Sequence, residues 1–366
     1  MKKIVVCGGH LTPALALIEQ FAKDKNYKIL FFGRKYTAEG SKNLSAEYRL
    51  ITQKKIRFFS IISGRLQRKF TRYTIFSLLK IPIGFLQSFI LLLFERPGLI
   101  ISFGGYLSVP VVFCGWLLGI DSIAHEQSLI PGLATKINSI FVKKLFLSWP
   151  QTLDYFQKQK CEVVGNLINK SIFGTNARSV AIKKFLTKSK KLIFITGGNQ
   201  GSHFLNKLVF TSLDIFDNYH IFHQVGTANF KGDWDFAARL KQKNYLAIDY
   251  IQPEDIGAVL NKASVVISRS GANTVWELAA LAKPAILVPL PIAALGEQKA
   301  NAKILEKAGS SIVIGQKDTD SKVIKTAVGQ IITDYAKYKN DAQKFQKTLP
   351  LDAALKMALF IRKFCV

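Results

Sequence analysis

Short runs of β-branched and aromatic residues alternate with helix-length segments along almost the whole chain of 366 residues. Such alternation is typical of parallel sheets covered by helices, because each pair of parallel strands needs a crossover connection. In the first half the predicted strands are 4–6, 29–32, 99–102, 122–124, 145–147 and 163–164. In the second half they are 192–196, 221–225, 246–249, 265–268, 285–288 and 312–314. Each half is therefore predicted to be α/β, with a doubly wound, Rossmann-like parallel sheet.

A segment without strand character separates the two halves. Residues 165–190 carry Gly, Asn and Ser instead of a sustained apolar run, so the boundary is placed near Gly165. Two cores of ordinary size are also what the chain length favours. We predict a first domain over 1–165, a second over 166–335 and a C-terminal helical segment over 336–366.

The charge of the chain is strongly positive, with 51 lysines and arginines, 24 acids and a formal net charge of +27. The first 100 residues hold 18 of the cations and only 5 of the acids, so the first domain is the more basic one. This balance favours an anionic partner. No groove-reading helix, zinc-finger spacing or RNP-like strand accompanies the charge, so nucleic acid is not predicted as a partner. Four scattered cysteines without a CxxC pair, and no secretion signal, predict a cytoplasmic location.

An apolar stretch at 75–94 follows the basic run RLQRKFTR at 65–72. A lysine within a membrane span costs about 2.5–3.5 kcal/mol, so Lys80 argues against a transmembrane helix. Pro82 is expected to interrupt the helix. A core helix and a helix lying on an anionic membrane surface both fit the pattern. The basic run favours the membrane, because each cation near an anionic leaflet contributes about 1 kcal/mol, and predicts a peripheral protein at the cytoplasmic face of the plasma membrane.

Near the start of the chain, CGGHLTPALA turns from a strand into a helix. Thr12, which is followed by proline, is predicted to cap that helix. Gly8 and Gly9 form the turn at the carboxyl end of the strand, where open α/β sheets bind ligands. His10 is thereby aimed at that edge, either as a base for a hydroxyl group or as a histidine hydrogen-bonded within the turn.

Two further loops follow predicted strands of the first half. ISFGGYLSVP repeats the glycine pair at Gly104 and Gly105 and adds Tyr106. AHEQSLIPG places four polar residues after the next strand, namely His125, Glu126, Gln127 and Ser128. Adjacent His and Glu side chains diverge and have no third ligand at a suitable spacing, so no metal site is predicted there.

The loops of the second half carry groups suited to a nucleotide. TGGNQGS at 196–202 offers glycines and exposed amides to a phosphate, although it lacks the P-loop and dinucleotide patterns. In SRSGANTVWELAALAKPAILVPLP, Gly271 turns the chain into a helix that carries Glu277. The amides at 272–274 suit a diphosphate and the carboxylate suits the two ribose hydroxyls, but an exposed helical glutamate would give the same pattern.

Two shorter motifs lie further along the second half. GEQKANA places Gln298 on a helix face that suits sugar hydroxyls or plain solvent. DTD at 318–320 precedes a helical run, which favours helix capping over a metal site. The motifs of the second half therefore suit a nucleotide and sugar hydroxyls, and equally a solvated helix surface, and no metal ligand set is predicted among them.

Together and in this order, the motifs resemble the MurG family of two-domain GT-B glycosyltransferases, from about residue 4 to 310. The resemblance is carried by GGHLTPALA, FGGYLSVP, HEQSLIPGLATK, GGNQGSHFLN and SRSGANTVWELAALAKPAILVP followed by EQKANA. It implies two Rossmann-like domains facing a cleft and no cofactor. It also implies inverting transfer of N-acetylglucosamine from UDP-N-acetylglucosamine to the C4 hydroxyl of MurNAc on an undecaprenyl-diphosphate-linked pentapeptide, which converts lipid I to lipid II.

The resemblance implies roles for individual residues, with His10 as the base. The implied donor contacts are Cys7, Gly8, Gly9, Ser128, Asn169, Asn199, Gln200, Gly201, Ile251 through its backbone, Gly271, Ala272, Asn273, Thr274, Glu277 and Gln298. The implied acceptor contacts are Gly104, Gly105, Tyr106, His125, Glu126 and Gln127, together with the turn of Gly8 and Gly9.

The chain departs from the family pattern at three places. Val5 and Val6 stand where the family usually has a glycine pair, Ser128 stands where it has Asn, and Asn169, beside Lys170, stands where it has Arg. Two alternative functions fit the sequence. One is a related GT-B transferase acting on another lipid acceptor, and the other is a non-catalytic protein that binds a lipid diphosphate.

Overall fold

The computed structural model describes residues 1–36, 44–62, 64, 72–187, 190–292 and 296–364, and within 72–79 only the backbone. The chain divides into two compact units. The first unit is Met1–Leu167 with Pro350–Val366, and the second is Ile168–Leu349. Each unit has one sheet in which neighbouring strands are parallel. The predicted α/β fold class, with two doubly wound parallel sheets, is therefore confirmed.

The sheet of the first unit has seven strands. They are β1 (Lys2–Cys7), β2 (Tyr27–Gly33), β3 (Arg57–Ser60), β4 (Leu99–Ser102), β5 (Ser122–Glu126), β6 (Lys144–Leu147) and β7 (Cys161–Val163). The helices are α1 (Leu11–Glu19), α2 (Ala46–Gln53), α3 (Arg72–Glu95), α4 (Ser108–Leu117), α5 (Leu133–Phe141) and, from the end of the chain, α14 (Ala353–Phe364). The strand order is β3-β2-β1-β4-β5-β6-β7.

The sheet of the second unit has six strands. They are β8 (Leu192–Thr196), β9 (His220–Gln224), β10 (Tyr245–Ile248), β11 (Ala263–Ser268), β12 (Ala285–Leu287) and β13 (Ser311–Val313). The helices are α6 (Val180–Leu186), α7 (His203–Phe210), α8 (Asp233–Arg239), α9 (Pro253–Lys262), α10 (Ala272–Ala280), α11 (Glu297–Lys307), α12 (Ser321–Thr333) and α13 (Tyr335–Gln346). The strand order is β10-β9-β8-β11-β12-β13.

Strand β3 is the one strand that the sequence pattern did not predict. It is a four-residue strand at the edge of the sheet, and Arg57 and Ser60 at its ends are exposed. Phe58 and Phe59 between them are only half-buried. Its pairing with β2 supplies the stabilisation that a short run of RFFS lacks by itself.

Helix α3 runs without interruption through Pro82, so the expected break was wrong. Proline removes one backbone donor, but the second half of the helix packs on the sheet through Phe85, Phe89 and Leu92, and this burial holds the helix together. No helix in the described part of the chain is long and apolar enough to cross a membrane. Of the basic run at 65–72, only the backbone of Arg72 lies within the description.

The two faces of the first sheet bury separate clusters. Val5, Leu30 and Ile100 face α3 and α4, whereas Ile4, Phe31 and other side chains face α1 and α14. Residues 336–366, predicted as one helical segment, are divided in the structure. Helix α13 belongs to the second unit, and α14 completes the core of the first.

Strand register brings the loops of each unit together. In the first unit Cys7 pairs with Ser102, so the turns that follow β1 and β4 are neighbours. In the second unit Thr196 pairs with Ser268 on one side and with Gln224 on the other. The loops after β8, β9 and β11 therefore meet at the carboxyl edge of that sheet, where open α/β sheets bind ligands.

Candidate functional site

The two glycine turns of the first unit are in direct contact. The backbone N–H of Gly9 donates to the carbonyl of Gly104 across 3.0 Å. A Cβ atom added at Gly8 would lie 2.5 Å from that same carbonyl oxygen, and one at Gly105 would lie 2.8 Å from the nitrogen of Gly9. Gly8, Gly104 and Gly105 also have positive φ angles, of 127°, 69° and 76°. The backbone conformation therefore favours glycine at all three positions, and the lack of space also excludes a side chain at Gly8 and Gly105.

His10 is the residue that precedes the first turn of α1, with extended backbone angles (φ −109°, ψ 93°). The predicted capping role of Thr12 was wrong, because the helix begins at Leu11. Pro13 then occupies the third helical position, where the missing N–H would have no acceptor within the helix.

His10 is a partly exposed residue at the carboxyl edge of the first sheet. No side-chain hydrogen bond caps α1, so the imidazole nitrogens are not used by the helix. Burial lowers the pKa of His10 to about 4, so the ring is neutral at neutral pH and keeps one unprotonated nitrogen. Burial also raises the pKa of the neighbouring Cys7 thiol, so the thiol stays protonated at neutral pH. His10 has the protonation state that a general base needs.

His125 lies on β5, fully buried, with its Nε2 3.0 Å from the carbonyl oxygen of Gly165. A carbonyl only accepts, so Nε2 carries the proton and Nδ1 keeps its lone pair. Nδ1 is buried and has no hydrogen-bond partner within the described residues. The pKa of His125 is lowered to about 4, chiefly by burial; the hydrogen bond to Gly165 opposes this shift, and the neighbouring His10 adds a smaller contribution in the lowering direction.

The loop after β5 is held by Glu126, whose carboxylate accepts the backbone N–H of Ser128 across 3.0 Å and that of Gly132 across 3.3 Å. Gln127 and Ser128 are also buried, whereas Tyr106 is half-buried against the core. These side chains shape the loop, and their contacts with substrate stay predictions. The described residues contain no cluster of three or more histidine, cysteine or acidic side chains that could hold a metal ion.

In the second unit the GGNQG loop is pressed against the turn after β9. A Cβ atom at Gly201 would lie 2.0 Å from the carbonyl oxygen of Val225, and one at Gly226 would lie 2.2 Å from Cα of Gly201. The carbonyls of Asn199 and Gln200 accept backbone N–H groups from the same turn, across 3.0 and 3.3 Å. Both side chains remain exposed, so the loop is fixed by its backbone and presents its side chains outward.

Gly271 is the residue before the first turn of α10, and it has no side chain to occupy the helix amides at 272–274. Glu277 lies further along the same helix, partly buried, and burial raises the pKa of its carboxyl group to about 7. The amides at the start of this helix would suit an anion, and a carboxyl group lies one to two turns away. Ile251 follows β10 and is buried.

Gln298 links α11 to the end of β12. Its Oε1 accepts the backbone N–H of Leu290 across 3.0 Å, and its own carbonyl accepts the hydroxyl of Ser270 across 2.8 Å. The side-chain amide nitrogen of Gln298 has no hydrogen-bond partner among the described residues.

Asn169 caps a local turn, because its Oδ1 accepts the N–H of Ser171 across 2.8 Å. The predicted donor contacts therefore fall in both units, with Cys7, Gly8, Gly9 and Ser128 in the first.

Sequence reasoning missed Arg269, which directly follows β11 and is only 8% exposed. Its Nε donates to the hydroxyl of Ser202 across 3.1 Å, Nη1 to the carbonyl of Val288 across 3.0 Å and Nη2 to Gln316 across 2.7 Å. Burial lowers the pKa of the guanidinium to about 10, so the cation persists at neutral pH. It joins the GGNQG loop to the loop that begins α10. The sequence feature that could have identified Arg269 is a cationic residue directly after a buried strand.

Two family descriptions match the chain, one in each unit. Residues 7–147 match the glycosyltransferase family 28 N-terminal domain, and residues 192–355 match the glycosyltransferase family 28 C-terminal domain. Together they cover both candidate sites.

Curated relatives match over nearly the full length. Proteins named UDP-N-acetylglucosamine--N-acetylmuramyl-(pentapeptide) pyrophosphoryl-undecaprenol N-acetylglucosamine transferase are similar in Clostridium novyi (34% identity over 343 residues) and Clostridium perfringens (35% over 345 residues). In both cases 92% of each chain is covered.

Solved structures share the fold. MurG from Acinetobacter baumannii has a TM-score of 0.70 at 23% identity, covering 99% of this chain and 100% of that one. The UDP co-structure of MnaA from S. aureus has a TM-score of 0.71 at 13% identity, covering 100% and 97%.

Proposed function

Because the chain belongs to the MurG family, the N-acetylglucosamine transferases of glycosyltransferase family 28, we propose that it transfers N-acetylglucosamine from UDP-N-acetylglucosamine to lipid-linked MurNAc-pentapeptide. The product is the lipid II disaccharide. The chain is a glycosyltransferase, and we assign donor binding, acceptor binding and sugar transfer to individual residues.

The donor nucleotide is proposed to bind at the carboxyl edge of the second sheet. The amides at 272–274 receive the diphosphate, and the Glu277 carboxylate accepts the two ribose hydroxyls. The backbone at Ile251 receives the uracil, and the amide nitrogen of Gln298 donates to the sugar. Arg269 adds a positive charge beneath these loops, which favours a diphosphate.

The acceptor is proposed to bind at the glycine turns of the first unit, with its C4 hydroxyl at His10. The hydroxyl oxygen forms a bond to the anomeric carbon while the bond from that carbon to the UDP oxygen breaks, which inverts the configuration. The proton of the hydroxyl passes to the unprotonated nitrogen of His10. The charge that develops on UDP lies against the start of α10.

The apolar face of α3 is proposed to lie on the membrane that carries the lipid acceptor. Ile83, Leu86, Ile90 and Leu93 recur at helical spacing and are exposed, and Phe94 is 79% exposed at the end of the stripe. The basic run at 65–72 precedes this helix in sequence. An apolar stripe beside cations suits the anionic cytoplasmic face of the plasma membrane.

The observation that carries the proposal is the neutral imidazole of His10, a partly exposed residue beside two glycine turns that are in contact. The test is turnover of UDP-N-acetylglucosamine with a short-chain lipid I analogue, measured as disaccharide formed. Formation of the disaccharide supports the proposal. Transfer only to diacylglycerol, or tight binding of the analogue without turnover, would favour one of the alternative functions instead.

A further inference from the structure

A fully buried amide lies behind the turn of Gly104 and Gly105. Asn138, on α5, donates from Nδ2 to the hydroxyl oxygen of Ser102 across 3.1 Å and to that of Ser108 across 2.7 Å. Ser102 is the last residue of β4, and Ser108 is the first residue of α4. One side chain therefore joins the two ends of the turn.

The two serines carry this link into the turn itself. The backbone N–H of Gly104 donates to the hydroxyl oxygen of Ser102 across 3.2 Å, and the hydroxyl of Ser108 donates to the carbonyl of Gly105 across 2.8 Å. Each glycine is thus tied to Asn138 through one serine. Gly104 in turn accepts the N–H of Gly9, the residue before His10.

The hydrogen bonds of Asn138 explain why an asparagine occupies this position. Both Nδ2 protons are used, whereas Oδ1 is buried and has no partner among the described residues. An unsatisfied buried acceptor is destabilising, and an apolar side chain at this position would avoid that penalty. The two Nδ2 donors are therefore the property of Asn138 that the turn uses and that a leucine at this position would lack.

Two consecutive glycines in the left-handed region have many other conformations open to them. Hydrogen bonds at both ends of the turn restrict the two glycines to one of these conformations. Thr135, one helical turn before Asn138, also faces the turn, since its Oγ1 would lie 3.2 Å from a Cβ atom at Gly104. Helix α5 thus supplies a rigid support behind the glycines.

We propose that Asn138 is a positioning residue for the lipid-linked acceptor, acting through Ser102 and Ser108 on the conformation of Gly104 and Gly105. The inference rests on the proposed function, because it assigns this turn to the acceptor. It does not place Asn138 in contact with substrate. Its effect is to present the turn in the conformation that the acceptor binds.

The test is Asn138→Leu, which keeps the number and branching of the side-chain heavy atoms and removes both donors. We expect kcat/KM for the lipid I analogue to fall by about 10- to 100-fold, mainly through KM for the acceptor, with KM for UDP-N-acetylglucosamine within twofold. Ser139→Ala is the matched control on the same helix, because that hydroxyl donates only to its own helix, at Lys136. The control should match the wild type.

A purely structural role would lower the fraction of active protein, so kcat would fall while both KM values stayed unchanged. That result would overturn the proposal. Ser108→Ala removes one of the two links and should give a smaller effect in the same direction, which keeps the test decisive if the leucine variant does not fold.

Amide hydrogen exchange separates this inference from the proposed function. Asn138→Leu should speed exchange at 104–108 and leave the GGNQG loop unchanged, whether or not the wild type turns over the lipid analogue. Unchanged exchange at 104–108 would refute the positioning role even in an active enzyme. An inactive wild type with faster exchange in the variant would refute the proposed function alone.

Discussion

The N–H of Gly9 and the carbonyl of Gly104 are joined by a hydrogen bond of 3.0 Å, so the turn that carries His10 and the turn after β4 form one unit. The register of β1 against β4 places the two turns side by side, and the absence of side chains on the glycines lets the backbones touch. Any displacement of one turn is therefore passed to the other, and with it to the imidazole.

Replacing His10 by Ala should lower kcat by about 10²–10⁴-fold, the range that a positioned general base contributes. Affinity for UDP should stay within a factor of about two, because the proposed nucleotide contacts are made in the second unit. Single-turnover kinetics and calorimetric titration with UDP measure the two quantities. An alanine variant with wild-type kcat would remove His10 from the mechanism.

Binding of UDP should weaken as the pH falls through about 7. Burial raises the pKa of Glu277 to about 7, and only the ionised carboxylate accepts both ribose hydroxyls. Between pH 8 and pH 6 the ionised fraction drops about tenfold, so the dissociation constant should rise by a similar factor.

Glu277→Gln is the matched variant for this effect, since it keeps the shape and cannot ionise. Calorimetric titrations of UDP at the two pH values should show a much weaker pH dependence for this variant than for the wild type. An equal pH dependence in both proteins would mean that another group is responsible.

Gly201→Ala should destabilise the second unit by roughly 2–4 kcal/mol. The new Cβ atom would lie 2.0 Å from the carbonyl oxygen of Val225, and the backbone has a φ of 86°, which costs an alanine about 1–2 kcal/mol by itself. Urea denaturation followed by tryptophan fluorescence gives the free energy of unfolding. Gly329→Ala is the control, because α12 has open space there, and it should leave stability unchanged or slightly raised.

Leu86→Glu should reduce binding to vesicles containing anionic lipid. Leu86 lies in the middle of the exposed stripe on α3 and is 63% exposed, so the substitution places a charge where the bilayer surface is proposed to lie. Cosedimentation at low and at high salt measures the effect, and salt should weaken binding of the wild type as well.

Phe230→Glu is the matched control for the membrane prediction. It introduces the same charge at an exposed apolar residue of the second unit, outside the proposed membrane surface. Loss of vesicle binding in Phe230→Glu but not in Leu86→Glu would contradict the assignment of α3.

The strands of both sheets could be predicted because they are buried runs of β-branched and aromatic residues separated by glycine turns. The exceptions have local physical causes. Strand β3 needs its neighbour β2 to form, and α3 passes through Pro82 because tertiary packing outweighs one lost hydrogen bond.

Sequence motifs located the strand-to-helix turns at which His10 and Gly271 lie, and the roles of these residues stay predictions. Long-range geometry was not predictable. The local sequence does not distinguish Asn138 from a solvated helical residue. The hydrogen bonds of the Arg269 guanidinium depend on Ser202 and Gln316, which lie 67 and 47 residues away along the chain. The division of the C-terminal segment also depends on which core α14 completes.

Helix α14 has a consequence for how the protein is made. Met357 and Ile361 are fully buried in the same cluster as Ile4 and Phe31, so this core joins residues that lie more than 300 positions apart in the sequence. A ribosome must therefore synthesise the chain at least as far as Ile361 before that core can close. A fragment that stops at residue 167 would expose the apolar surface that α14 covers, and we expect it to aggregate instead of folding alone.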